Sequence, residues 1–156
     1  MKSTARSRPI RRLAGLAAIA LAGLLAFAVT GGAGGTTPTK RVVKVASLSD
    51  GSPVLANLRG RTLYSLSVET HGKFVCTAKS GCTSIWHPLT VGAGVVPKGP
   101  VKLGTVKRPE GTVQVTYRGR PLYYYAHEKA GEVRCHNVSL NGGLWWVIGT
   151  NGRRRP

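Results

Sequence analysis

The stretch RGRTLYSLSVE occupies residues 59–69, and RGRPLYYYAHE occupies residues 118–128. Sliding the chain over itself by 59 places lays residues 54–86 on residues 113–145 without a gap. Eleven of those 33 positions are identical, among them Arg59/Arg118, Gly60/Gly119, Tyr64/Tyr123, Glu69/Glu128, Cys76/Cys135 and Trp86/Trp145. That is several times the chance expectation. The chain is read as an internal duplication.

Each copy reads as strands. RVVKVASL is rich in β-branched residues and ends at Asp50-Gly51; TVQVTY follows the matching Glu110-Gly111. Gly60 and Gly119 stand where a tight turn needs positive φ, which glycine adopts without steric cost. A Cys-bearing loop and a Trp-bearing strand close each copy. No segment from residue 34 onward shows a helical period. The expectation is an all-β protein: two tandem β-meander repeats of about four strands each. One such sheet is hard to stabilise alone, so the two are expected to pack as a pseudo-two-fold β-sandwich or barrel. The boundaries read as 40–90 for the first repeat, 91–100 for a connector, 101–150 for the second repeat and 151–156 for a basic tail.

Residues 1–33 have a different character. Five basic residues precede an uncharged, mostly apolar run of 18, and small residues follow. This is the three-part form of a secretory signal; the run also reaches the lower limit for a membrane anchor. The chain is therefore read as secreted or extracytoplasmic, with anchoring by this segment as the rival. Leaving out those five basic residues, 18 Lys and Arg face five acids, a net charge of +13. Such a charge favours an anionic partner. For an exported protein that means an anionic cell-wall polymer or a membrane surface, with no nucleic acid expected. The oligomeric state is left open.

Outside the cytoplasm a disulfide is the default for a close cysteine pair, here Cys76 and Cys82, with Cys135 left over. The aromatic residues Tyr64, Tyr123, Tyr125, Trp86 and Trp145 read first as core, since aromatic pairs across strands are ordinary sheet stabilisers. Their functional reading is a platform for a sugar or another flat ligand. Tyr124 and Trp146, pointing the opposite way from their neighbours, suit that role better. Glu69 and Glu128 read as partners of the Arg-Gly-Arg turns, or else as acid–base or cation-binding carboxylates. No catalytic motif is present, and no cofactor is expected. His127, Cys135 and His136 are the ligands of an alternative metal or redox reading, although no paired metal-ligand spacing occurs.

The repeated block resembles a family of bacterial secreted proteins and lipoproteins known as a secreted repeat of unknown function. Its mark is a Tyr-x-(Phe/Trp/Tyr)-x-x-Asp motif. Here Gly60, Leu63, Tyr64, Glu69, Gly72, Cys76, Cys82, Trp86 and Pro88 follow the pattern once. Gly119, Leu122, Tyr123, Tyr125, Glu128, Gly131 and Trp145 follow it again. Both copies carry Glu in place of Asp, Leu66 replaces the aromatic, His87 interrupts Trp-Pro, and the lipid-attachment Cys is missing. The resemblance implies an exported, repeat-built, all-β protein and no enzyme activity. The reading is a noncatalytic basic binding or structural module of the cell envelope; the alternative is an envelope redox or metal-handling protein.

Overall fold

In the computed structural model, which describes residues 35–151, every regular element except one 3-10 turn is a strand. The signal or anchor read over 1–33, and most of the tail at 151–156, lie outside the described residues. The first copy contributes β1 (Thr39–Arg41), β2 (Val43–Ser47), β3 (Pro53–Asn57), β4 (Tyr64–Leu66), the 3-10 turn (Cys82–Ser84) and β5 (Trp86–Pro88). Next come β6 (Thr90–Val91) and β7 (Val96–Lys98), the latter inside the expected connector and parallel to β1. The second copy contributes β8 (Leu103–Lys107), β9 (Val113–Tyr117), β10 (Arg120–Pro121), β11 (Tyr123–Tyr125), β12 (Val138–Leu140) and β13 (Gly143–Val147).

The hairpins β2–β3 and β8–β9 match residue for residue. Val43 pairs with Asn57, and Leu103 pairs with Tyr117, an offset of 60 at both ends. Their loops match too: Gly51 N–H donates to Leu48 and Gly111 N–H to Arg108. The offset of 59 begins only after the hairpin. The first copy turns through Leu58, Arg59 and Gly60, because Asn57 N–H bonds to Arg61. The second turns through Arg118 and Gly119 alone, both at positive φ, because Arg120 pairs with Tyr117. Two residues at positive φ make the tight hairpin turn that suits strand twist. Val54 is therefore the structural counterpart of Gln114, one place beyond the Val113 that the gapless alignment gives it.

The copies exchange their last strands. The five-stranded sheet runs β12-β13-β4-β11-β5. The Trp145 strand of the second copy pairs with β4 of the first, and the Trp86 strand of the first pairs with β11 of the second. At the centre Tyr64 pairs with Tyr123, its own counterpart. A ring of backbone bonds repeats beside it. Leu55 N–H donates to Ile148, Ile148 to Leu63 and Leu63 to Leu55; Val115, Leu89 and Leu122 make the same ring. Among the described residues no sheet closes into a barrel.

Two apolar clusters fill the interior. One holds the five-stranded sheet's aromatic face together with Leu48, Val54 and the Cys76–Cys82 pair; the other joins Val43, Leu55, Leu63, Val115, Leu122 and Ile148. At the heart of the first, the Trp86 and Trp145 rings stack 3.6 Å apart and nearly parallel. Tyr64 meets Trp86 edge-on at 5.2 Å, and Tyr123 meets Trp145 edge-on at the same distance. Each aromatic pair adds roughly 0.5–1.5 kcal/mol beyond its burial.

Candidate functional site

The motif residues come together as two crossed, buried networks. The Tyr64 hydroxyl donates to Glu128 Oε1 at 2.6 Å, and the Tyr123 hydroxyl donates to Glu69 Oε2 at 2.7 Å. Each tyrosine thus holds the glutamate of the other copy. Both carboxyls are closed to solvent, at 0 % and 1 % exposure. Glu69 Oε1 also accepts the N–H groups of Val75 and Cys76, and Glu128 Oε1 accepts that of Arg134. A buried carboxylate needs such donors. The glutamates therefore clamp the Cys-bearing loops. Neither pairs with an arginine of the Arg-Gly-Arg turns: among the described residues the ion pairs are Arg108–Glu110 and Arg134–Glu132.

The two networks differ at one position. Arg108, 3 % exposed, donates to Gln114 Oε1, to the Tyr123 hydroxyl at 3.0 Å and to the Cys76 carbonyl at 2.7 Å. Burial opposes its charge, yet bonds to Tyr123 and Glu110 hold its pKa above the ordinary value. Its counterpart in the other copy is Leu48, by the hairpin offset of 60. There Glu128 Oε2 is buried without a hydrogen-bond partner. Burial, followed by the charge of Glu132, moves the Glu128 carboxyl upward against the bonds from Tyr64 and Arg134. The same end carries Cys135 as a free thiol; Asn141 occupies the place that Cys82 has in the first copy. Cys76 and Cys82 form the expected disulfide. Burial, then the nearby Glu128 carboxylate, pushes the Cys135 thiol up to about 11, away from thiolate chemistry. The sequence marks Glu110 only as part of a turn and gives no signal for the other two, since Arg108 lies outside the aligned block and Gln114 falls opposite Leu55 in it.

Tyr64, Trp86, Tyr123 and Trp145 are at most 1 % exposed, so they frame the molecule and offer no ligand surface. Tyr125 is half-buried, with its ring 5.1 Å from Trp86. Exposed His127 lies edge-on to Tyr125 at 5.4 Å, while His136 lies edge-on to Trp146 at 5.4 Å. Among the described residues no group of three or more His, Cys, Asp or Glu side chains is placed to hold a metal ion. No described helix is long and apolar enough to cross a membrane.

The solvent-facing chemistry is elsewhere. A furrow of about 290 Å³ runs between β1, the Leu58–Arg59–Gly60 turn and the Pro88–Leu89–Thr90 segment, with Tyr124 beside it. Lys40, Arg41, Arg59 and Arg61 line it, and the Arg61 guanidinium stands 5.6 Å from the centre of the Tyr124 ring. The turn is held close by the other copy: Gly60, at φ 83°, leaves no room for a Cβ, which would come within 2.9 Å of Ala130. Pro88 and half-exposed Leu58 add apolar surface. None of the chain's five carboxylates reaches this furrow. Glu69 and Glu128 are buried, Glu110 holds Arg108, Glu132 holds Arg134, and Asp50 accepts from Ser52 N–H in the first hairpin loop.

No curated protein and no solved structure matches the chain. Residues 104–148, from β8 through the Trp145 strand and so one copy of the repeat, match the model of a family described as a secreted repeat of unknown function.

Proposed function

We propose that this chain is an exported, noncatalytic module of the cell envelope that holds an anionic polymer. The family's description as secreted supports an extracytoplasmic site. The observation that carries the binding reading is the fate of the carboxylates. Glu69 and Glu128 are buried, Glu110 and Glu132 each hold an arginine outside the furrow, and Asp50 sits in the first hairpin loop, so the cations that line the furrow are left for external anions. Exposed charges of one sign raise the local concentration of the opposite sign and speed its capture. They are also screened by salt, over about 8 Å at physiological ionic strength. The purified domain should therefore sediment with isolated cell envelopes at low salt and be released as salt rises. Equal retention at all salt concentrations, or none at low salt, counts against the reading.

A further inference from the structure

We infer that the Tyr124 furrow seats a sugar ring bearing an anionic group, so that the polymer is an acidic saccharide; this rests on the reading just given. The neighbours of Tyr124 on β11, Tyr123 and Tyr125, pack into the aromatic core, whereas Tyr124 turns to the opposite face, where it packs against the second apolar cluster and stays partly exposed. There it meets His87 at 5.3 Å and Arg61 at 5.6 Å. A partly exposed aromatic ring offers apolar surface to the C–H face of a sugar. On the furrow side of that ring the lining supplies donors and no carboxylate; Glu110 lines a neighbouring cavity that Tyr124 also borders, and is held by Arg108. Arg59, Arg61 and Arg41 carry forked guanidinium groups suited to sulfate, phosphate or carboxylate oxygens. Lys40 adds a point charge on the edge strand. Among the described residues none of these four forms an ion pair.

Charge alone would fit any polyanion. The ring makes the site selective, because a polyanion without sugar rings gains nothing from Tyr124. The two contributions are therefore separable by mutation. Tyr124→Ala removes the stacking surface and leaves the charges; Arg61→Gln removes a charge close to it.

The experiment is equilibrium binding of the domain to three probes at low salt: dextran sulfate, inorganic polyphosphate and uncharged dextran, with phosphatidylglycerol vesicles as a fourth. Dextran sulfate should bind more tightly than polyphosphate, and uncharged dextran should bind weakly or not at all. Tyr124→Ala should weaken dextran sulfate about tenfold and leave polyphosphate within twofold, while Tyr124→Phe should keep dextran sulfate within twofold. Arg61→Gln should weaken both polyanions. Unchanged thermal unfolding of each variant separates these effects from loss of fold. Equal loss for both polyanions in Tyr124→Ala, or no loss for either, overturns the sugar seat while leaving the general polyanion reading standing. Vesicle binding that exceeds dextran sulfate and ignores Tyr124 overturns it in favour of a bilayer. Failure of the native domain to bind any anionic probe removes the general reading itself.

Discussion

At the scale of single residues the two copies have parted company where Arg108 faces one network and Leu48 the other. Arg108 ties Gln114, Tyr123, Glu110 and the Cys76 carbonyl together from a nearly dry position. Removing it strands several of those groups. Breaking a buried charge network of this kind typically costs about 3–5 kcal/mol. Arg108→Leu, which copies the other repeat, should therefore lower the urea midpoint sharply; a loss under 1 kcal/mol would show that water repairs the network. The other end responds to pH instead. Burial raises the Glu128 pKa, so the folded chain holds that proton more tightly than the unfolded chain does. Stability from that proton is complete below the unfolded carboxyl value, about 4.3, and is lost as pH rises through the folded value. Glu128→Gln has no such proton to lose. Relative to native protein it should gain stability between about pH 4 and neutrality, read from urea unfolding at both ends of that range. A parallel course of the two curves would refute the assignment.

At the scale of elements, strands and turns were the most legible part of the sequence. β-branched runs, Asp50-Gly51 and Glu110-Gly111 marked both hairpins where they occur. The one-residue slip between copies was not legible, because a three-residue loop and a two-residue loop can both carry an Arg-Gly sequence. Only the pairing of Asn57 with Arg61 and of Tyr117 with Arg120 tells them apart. The turn glycines do more than turn. Gly119 sits at φ 73°, and a Cβ there would lie 2.5 Å from His71 Nε2. Left-handed backbone costs an L-residue roughly 1–2 kcal/mol before any displacement of His71. Gly119→Ala should thus lose at least that much, whereas Gly142→Ala, with open space around it, should lose the backbone term alone. The Cys-bearing loops offer a second contrast. Cys76–Cys82 closes a short loop with a sequence separation of 6, for which loop-closure entropy gives about 2 kcal/mol. Reductant should lower stability by that order, and Cys82→Asn, which again copies the second repeat, should abolish the effect of reductant.

At the scale of the whole molecule the duplication explains itself. Each copy of the quoted stretch begins at a turn pressed against the other copy and ends at a glutamate bonded to the other copy's tyrosine. The sequence made the duplication visible, since eleven matched positions survive. It did not reveal the exchange of the Trp strands. Strand periodicity says which face is buried and nothing about which neighbour supplies the pairing edge. The candidate site was legible only in outline for a related reason. Net charge was countable, but which cations stay unpaired depends on where five carboxylates end up. The exchange also makes a firm demand on folding. Residues 101–151 alone would leave Tyr123 without Glu69, Trp145 without Trp86 and β13 without its partner β4. Residues 35–100 alone would lose the mirror set. An unpaired edge and an uncovered aromatic face cannot repay chain entropy in a fragment of that size. Neither fragment should give dispersed amide signals or a cooperative melt, and mixing them in equal amounts should restore both, with one-to-one stoichiometry and a concentration-dependent melting temperature. If residues 101–151 fold alone as a monomer with native-like tryptophan circular dichroism, the copies are independent units, and the crossed Tyr–Glu bonds are dispensable to the fold.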